Sequence, residues 1–133
     1  MIAIDTSAII AIMGNEPERR KFNEIIETTD FCLISAACLL EARIVLFARS
    51  GKNASLALDA FILRSKIQVI EVSPDMGDIA FDAYIKFGKG TGHPAGLNYG
   101  DCFAYALAKQ KNIALLFKGN DFSRTDITAA NQP

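Results

Sequence analysis

Four carboxylates are spaced along the 133-residue sequence where a folded chain can bring them together: Asp5, Glu41, Asp101 and Asp121. Each has an ordinary explanation, because Asp is common at helix caps and in turns and Glu is common on solvated helix faces. Clustered carboxylates repel one another, by about 3 kcal/mol for two charges roughly 5 Å apart at an effective dielectric near 20. Such a cluster therefore requires a cation, and oxygen ligands favour Mg²⁺ or Mn²⁺.

Asp101 is the most informative of these acids, because it lies near the start of an apolar helical pattern, LNYGDCFAYALA at positions 97–108. Asn98 is a favourable N-cap, and Asp101 three residues later can complete a capping box or favour the positive end of the helix. Helical spacing places Asn98, Asp101 and Tyr105 on one face, beside an apolar stripe that can enter a core. The pattern predicts a helix that presents polar groups at its first turn.

The composition predicts one domain spanning residues 1–133, since half of the residues are hydrophobic and the formal net charge is −1. No apolar run approaches the roughly 18 residues that span a bilayer, and the N-terminus lacks the basic flank of a signal peptide. We therefore expect a cytoplasmic protein with no membrane segment. The low net charge argues against a broad basic surface for nucleic acid, so any such contacts must be local or metal-mediated.

The cysteine pattern excludes two kinds of stabilising site. Cys32, Cys38 and Cys102 are odd in number, lie among apolar neighbours and have no CxxC spacing. This pattern argues against a disulfide framework and against a structural zinc site. We expect three buried, reduced thiols.

Strands alternate with helices along the chain, which predicts an α/β fold. The predicted strands cover residues 2–4, 31–34, 67–72 and 113–117. Their near-continuous apolar character indicates parallel strands buried on both faces. The predicted architecture is a central parallel sheet of about four to five strands, flanked by helices in a Rossmann-like arrangement of three layers.

Caps and helix breakers locate the connecting helices. Helices are predicted to begin near Thr6, Pro17, Ser35, Asn53, Pro74 and Asn98, and to stop near Gly14, Gly51 and Gly88. Residues 88–96 contain four glycines and a proline, which predicts a mobile or specially shaped loop. The polar tail from Thr128 is expected to fray.

The predicted topology brings the four acids to one edge of the sheet, because ligands of parallel sheets bind beyond the carboxyl ends of the strands. Asp5 follows the first strand and Asp121 follows the last, while Asp101 begins the helix that leads into the last strand. Glu41 lies about two turns into the helix after the second strand, within reach of the same edge. An acidic pocket is therefore predicted there.

The chain resembles the PIN-domain family, and more closely the VapC-type toxin ribonucleases of bacterial toxin–antitoxin pairs. Four segments carry the resemblance over nearly the full length: IDTSAIIAI, SAACLLEARIVL, HPAGLNYGDCFAYALAKQ and LLFKGNDFSRTDI. It implies a PIN-like fold and four catalytic acids around Mg²⁺ or Mn²⁺: Asp5, Glu41, Asp101 and Asp121. Asp5 and Asp101 would be the direct ligands. The family often has a further acid where this chain has Asn120.

The activity implied by this resemblance is endonucleolytic cleavage of RNA by a metal-activated water, with no covalent enzyme intermediate. Ser7 and Asn98 would support the metal or the substrate through hydrogen bonds. Candidates to attract the RNA backbone, each equally explained as a solvated charge, are Lys86, Lys89, His93, Lys118 and Arg124. The resemblance also implies a homodimer and a cognate antitoxin protein.

The sequence itself indicates a surface for a protein partner. The long helix from Ala36 to about Ser50 leaves little polar surface on any face, and the following helix through Leu56 and Ile62 is also apolar. A helix that is apolar all round is usually buried. Since the core of a small domain need not cover both helices, we expect a protein interface there.

Three other enzyme classes fit poorly. A haloacid-dehalogenase-type phosphatase needs a DxDx[TV] motif, whereas position 7 is Ser7. A P-loop also fits poorly, because the glycine-rich loop follows a helix and Lys89 is not followed by Ser or Thr. The lone His93 has no nucleophile motif near it, which argues against a Ser or Cys hydrolase. The remaining alternative is a catalytically silent PIN-like module that binds RNA or protein.

Overall fold

The computed structural model describes residues 1–130, in which a four-stranded parallel β-sheet lies between helices. The strands are β1 (Ile2–Ile4), β2 (Cys32–Ser35), β3 (Gln68–Ile70) and β4 (Ala114–Leu116). The helices are α1 (Thr6–Met13), α2 (Arg19–Glu27), α3 (Ala36–Ser50), α4 (Lys52–Arg64), α5 (Pro74–Phe87) and α6 (Tyr99–Lys111). The strand order is β3-β2-β1-β4, and every neighbouring pair is parallel. The predicted α/β fold is confirmed.

Burial on both faces holds for β1 and β2 but is wrong for β3. Ala3 and Ile4 are fully buried at the centre of the sheet, and Leu33 and Ile34 are buried beside them. By contrast, Gln68 and Val69 of β3 are exposed and Ile70 is half-buried. The reason is its position, since β3 is an edge strand that pairs only with β2. The predicted strands at 67–72 and 113–117 are also longer than β3 and β4.

The tail does not fray through Ala130, contrary to the prediction. Leu115 donates its backbone N–H to the carbonyl of Thr128 at 2.9 Å, and Ala130 donates its N–H to the carbonyl of Leu115 at 2.8 Å. These bonds cover the free edge of β4, which would otherwise be exposed to other strands. Residues 131–133 lie outside the described part of the chain.

Local capping explains most helix starts. Ser35, Ser73 and Asn98 accept hydrogen bonds from backbone N–H groups in the first turns of α3, α5 and α6, as predicted. Two starts differ from the prediction: α2 begins at Arg19, two residues after Pro17, and α4 begins at Lys52 rather than after Asn53. Gly51 has a φ of +80°, which glycine tolerates. This single residue therefore joins α3 to α4, and α4 begins one residue before Asn53.

Backbone hydrogen bonds join the two ends of the glycine-rich loop, and they place Asn98 at the start of α6. Lys89 donates its backbone N–H to the carbonyl of Leu97 at 2.7 Å, and Leu97 donates to the carbonyl of Phe87 at 2.8 Å. His93 lies edge-to-face on Phe87 with ring centroids 5.0 Å apart. The loop is therefore specially shaped, which was one of the two predicted outcomes.

Two further observations bear on the predictions from composition. The three cysteines are free and buried. No helix within residues 1–130 combines the length and apolar character needed to cross a membrane.

Candidate active site

Asp5 is held where β1 and β4 end side by side. Its backbone N–H donates to the carbonyl of Leu116 at 2.9 Å. Its Oδ2 accepts from the N–H of Ser7 at 3.0 Å and from the Ser7 hydroxyl at 2.6 Å, which makes Asp5 the N-cap of α1. The residue is only 4% exposed. The same contacts that start α1 therefore point a buried carboxylate to the carboxyl edge of the sheet.

Asp101 is fixed by the capping box that was predicted for α6. Its Oδ2 accepts from the N–H of Asn98 at 3.0 Å, while Asn98 Oδ1 accepts from the N–H of Asp101 at 2.9 Å. Asp101 is 9% exposed, and Asn98 is exposed at the rim. Asn98 thus supports the site by orienting Asp101.

Glu41 reaches the same place from α3. A Cβ added to Gly100 would lie 2.5 Å from Glu41 Oε2, so the Glu41 carboxylate lies against the first turn of α6. Gly100 has no positive φ, so close approach rather than conformational freedom explains the glycine. The carboxylate of Glu41 therefore lies beside the helix turn that carries Asp101, although 60 positions separate the two acids in sequence.

Asp121 lies in the exposed turn after β4. The proximity of its carboxyl group acts to raise the pKa of Asp101. The last of the four predicted acids therefore interacts with the third.

Burial dominates the electrostatics of the site, and repulsion between the acids adds to its effect. Burial raises the pKa of Asp5 to about 6, since the hydrogen bonds from Ser7 only partly oppose it and the charge of Glu41 adds to it. Burial also raises the pKa of Asp101 to about 7, against the hydrogen bond from the Asn98 backbone, and the charges of Asp5 and Asp121 add to the rise. The four acids thus form one interacting group.

The donor chemistry fits a hard divalent cation. Within the described residues, no three His, Cys, Asp or Glu side chains already lie close enough to hold an ion together. In that same part of the chain, the ion pairs between side chains involve other acids than these four. The site therefore offers carboxylate oxygens whose charge no base offsets, which is the condition under which Mg²⁺ or Mn²⁺ binding is favourable.

Ser7 connects two of the elements that form the site. Its hydroxyl donates to Asp5 and accepts the backbone N–H of Lys118 at 2.9 Å. Both contacts involve protein atoms, so Ser7 supports the site by holding the turn after β4 next to the end of β1.

The structure gives one of the predicted RNA contacts a different partner. The ammonium of Lys118 lies 2.5 Å from Glu16 Oε1 and 3.2 Å from Glu18 Oε1. The Lys118 side chain is therefore directed to the turn between α1 and α2. Three other candidates are exposed, namely Lys86, Lys89 and Arg124, while His93 is half-buried and its Nδ1 accepts from the N–H of Ala95.

Reasoning from the sequence missed two groups of contacts around the site. One is the pairing of Lys118 with Glu16 and Glu18, which join parts of the chain about 100 positions apart. The other is Asp126, which accepts from the Tyr105 hydroxyl and from Lys109 Nζ, both at 2.6 Å. The only signal for the second was that Tyr105 and Lys109 are one helical turn apart on α6.

Comparison with known proteins decides the family. The family model described as PIN domain matches residues 2–127. The chain belongs to the PIN-domain family. Among relatives of this PIN domain, Ribonuclease VapC30 of Mycobacterium tuberculosis is 42% identical over 132 residues, which cover 99% of this chain and 100% of that protein. Ribonuclease VapC of Mycolicibacterium smegmatis is 41% identical over 130 residues, 98% of this chain and 100% of that protein. The chain is thus a PIN domain of the VapC kind.

Solved structures share this PIN fold over almost the whole chain. VapC20 of Mycobacterium tuberculosis, a toxin that cleaves the sarcin–ricin loop, superposes with a TM-score of 0.79 at 20% identity, covering 96% of this chain and 97% of its own. VapBC2 of Rickettsia felis, solved on a DNA fragment from its promoter, gives 0.76 at 17% identity, with 97% and 96% covered. A toxin–antitoxin complex from Klebsiella pneumoniae gives 0.71 at 16% identity, with 98% of each chain covered.

Proposed function

We propose that this VapC-like PIN domain is a metal-dependent endoribonuclease and the toxin of a toxin–antitoxin pair. The observation that carries the proposal is the convergence of two buried acids, Asp5 and Asp101, with Glu41 and Asp121. None of the four acids forms an ion pair with a base within residues 1–130. The names of the relatives support the ribonuclease activity. We place the protein in the cytoplasm because an RNA substrate would meet it there.

In this proposal Asp5 and Asp101 hold Mg²⁺ or Mn²⁺, and Glu41 and Asp121 complete the acidic pocket. When bound, the ion activates a water and stabilises negative charge on the scissile phosphate. The chain's part is to present ionised, oriented carboxylates. Ser7 orients Asp5, and the capping box orients Asp101. Since both acids have raised pKa values, ion binding is coupled to loss of their protons.

Recognition of RNA in this proposal depends on a small number of contacts. The net charge of −1 gives no broad basic surface. Lys86 and Lys89 are exposed at the end of α5 and in the following loop, and Arg124 is exposed beyond Asp121. These three side chains are the proposed contacts to RNA phosphates, whereas sequence preference requires contacts to bases.

The decisive experiment compares cleavage of a structured RNA by the wild type, Asp5→Ala and Asp101→Asn. The amide introduced by Asp101→Asn retains an acceptor for the Asn98 N–H, so this variant keeps its capping box and removes only the charge. We expect cleavage by the wild type with Mg²⁺ or Mn²⁺, no cleavage with EDTA, and loss of cleavage in both variants. Equal activity in all three proteins would contradict the nuclease proposal, and RNA binding without cleavage would favour the silent binding module.

A protein partner is proposed for the apolar surface of α3 and α4. Ile44 and Phe47 on α3 are about 60% exposed, and Leu63 on α4 is 80% exposed, so both helices leave apolar side chains accessible to a partner. A second apolar surface is a groove of about 710 Å³ between α5 and α6, whose lining includes Phe81 and Tyr99. Exposed apolar areas of this kind mark interaction sites.

We propose that these surfaces serve a cognate antitoxin and a second copy of this chain. The Klebsiella pneumoniae structure supports the first, since it is a toxin–antitoxin complex with this fold. Light scattering is measured on the wild type, Phe47→Glu and Phe81→Glu, each alone and mixed with the protein encoded by an adjoining short reading frame. The variant that loses the dimer, or the complex, shows which surface binds which partner. A monomer whose mass does not change on mixing would contradict both partners.

A further inference from the structure

Asp121 lies in a turn with little structure of its own. The turn at 118–121 follows β4 closely, is exposed throughout, and contains Gly119 at a φ of +98°. Glycine restricts the backbone less than any other residue, so the turn does not hold its own conformation strongly. Contacts outside the turn must therefore place Asp121 next to Asp101.

Backbone and core contacts anchor the two ends of this turn. At its start, Lys118 donates its N–H to the Ser7 hydroxyl at 2.9 Å. At its end, Phe122 is 2% exposed and its ring lies edge-to-face on Phe117, with centroids 5.2 Å apart. Asn120 accepts from the Ser123 hydroxyl at 2.7 Å. Asp121 stands between these anchors.

A cluster of charged side chains anchors the turn a third time. Lys118 Nζ lies 2.5 Å from Glu16 Oε1 and 3.2 Å from Glu18 Oε1, and the three side chains are between 28% and 37% exposed. Glu18 Oε1 itself is buried and makes no hydrogen bond of favourable geometry. The ammonium of Lys118 therefore lies against a buried carboxylate oxygen of Glu18, and two acids share one base here, which distinguishes this cluster from an isolated exposed pair.

The turn that carries these two acids is itself fixed to α1. The N–H of Glu16 donates to the carbonyl of Ala11 at 2.9 Å, and the N–H of Gly14 donates to that of Ile10 at 2.8 Å. The cluster thus joins the end of α1 to the turn after β4. Because α1 begins at the Asp5 cap, both ends of this connection belong to elements that carry an acid of the site.

We propose that Glu16 and Glu18 are positioning residues, which hold Lys118 and through it place Asp121 in the acidic site. We name these three residues the Glu16–Lys118–Glu18 clamp. The part of this inference that concerns metal affinity rests on the proposed function. In this arrangement Lys118 is a structural cation and is not a contact for RNA.

The first experiment needs no metal and no nuclease activity. Amide hydrogen exchange is measured on the metal-free wild type and on Glu16→Gln/Glu18→Gln. We expect exchange at residues 118–122 to be several times faster in the variant, with α6 unchanged, because loss of the clamp lets the turn open locally. The matched control is Glu24→Gln/Glu27→Gln, which also removes two negative charges, from exposed positions of α2 where Glu24 pairs with Arg20. Unchanged exchange at 118–122 would overturn the clamp.

The second experiment measures Mn²⁺ binding by titration calorimetry. Groups that contact a metal's ligands typically alter affinity by 10- to 100-fold, and the clamp acts less directly, through the position of Asp121. We therefore expect a smaller weakening of about 3- to 10-fold in Glu16→Gln/Glu18→Gln and Lys118→Met. Lys118→Arg keeps the charge and should restore most of the affinity. In an Asp121→Asn background the clamp variants should cause little further loss, since their effects act through the same residue.

The opposite pattern would show that Lys118 contacts RNA. Lys118→Met would then raise KM for RNA and lower the salt dependence by about one phosphate contact, with Mn²⁺ affinity unchanged. Glu16→Gln/Glu18→Gln would lower KM by freeing the lysine. That result would overturn the inference. A wild type that binds no Mn²⁺ would instead contradict the proposed function, and the hydrogen-exchange result would still decide the clamp.

Discussion

Asp101 lies in the first turn of α6 and Asp126 bonds to two later residues of the same helix, yet their surroundings move their pKa values in opposite directions. Burial raises the pKa of Asp101 to about 7, and its charged neighbours are other acids. Burial also acts to raise the pKa of Asp126, but hydrogen bonds from Lys109 and Tyr105 outweigh it and lower that pKa overall. One end of the helix therefore holds an uncompensated carboxylate and the other contacts a compensated one.

Under the proposed function, this difference separates a structural acid, Asp126, from a functional one, Asp101. The Asp126 contacts tie α6 to the segment before the tail and need nothing from solution. The Asp101 group is destabilising as long as its charges stand alone, because like charges close together cost free energy. A fold retains such a group when binding of a cation or substrate compensates the cost.

The largest expected effect is at Asp101. Asp101→Asn should reduce metal-dependent RNA cleavage by more than about 100-fold, the upper end of losses caused by groups outside the ligands themselves. The same change should stabilise the metal-free fold at pH 7.5, because it removes a buried charge and keeps the capping box. Urea unfolding and a cleavage assay measure the two effects. A variant that loses both activity and stability would show that the Asp101 charge stabilises the fold, as the Asp126 charge does.

The metal-free protein should become more stable as the pH falls from 8 to 5. Asp5 and Asp101 have folded-state pKa values of about 6 and about 7, above their ordinary value, so the folded state takes up protons first over this window. Because both pKa values are raised, we expect the free energy of unfolding to rise by on the order of 2 kcal/mol between pH 8 and 5. Urea titration in the presence of EDTA measures this change.

The contribution of Asp126 has the opposite sign. Its pKa is lowered in the folded state, so its contribution is present at neutral pH and is lost as the pH falls below about 4. Stability should therefore pass through a maximum in mildly acidic solution. A profile that is flat between pH 8 and 5, or one that falls over that range, would contradict the uncompensated state of the site.

Gly100→Ala tests the site through shape alone. The new Cβ would meet Glu41 Oε2 at 2.5 Å and displace that carboxylate. We expect cleavage to fall by roughly 10-fold while stability changes by less than about 1 kcal/mol, since Ala favours the helix. Gly77→Ala in α5 is the matched control, because a Cβ there meets nothing within 4 Å. Equal activity in both variants would remove Glu41 from the site.

The smallest expected effect is at the compensated acid. Tyr105→Phe or Lys109→Met should cost about 0.5–1 kcal/mol of unfolding free energy, the usual range for a partly exposed hydrogen bond or ion pair. Cleavage rate and Mn²⁺ affinity should stay at the wild-type level. Thermal or urea unfolding together with the cleavage assay checks this. A loss of metal affinity in either variant would mean that the two ends of α6 are coupled.

Much of the secondary structure could be predicted because its causes are local. The caps at Ser35, Ser73 and Asn98 bond to N–H groups two or three residues away, so the sequence alone contains both partners. The prediction failed where distant contacts decide. The exposure of β3 depends on its place in the sheet, and the order of residues 128–130 depends on bonds to Leu115.

The sequence by itself determined the types of the four acids, their places at helix starts and after strands, and the parallel fold that turns those places to one edge. Tertiary structure alone decided that Glu41 lies against Gly100, that Lys118 turns to Glu16 rather than to solvent, and that Asp126 has a base. The physical reason is the sequence separation of the interacting residues. A helix cap or an apolar helix face involves residues that are close in sequence, whereas the compensation of a charge depends on which distant side chains packing brings beside it.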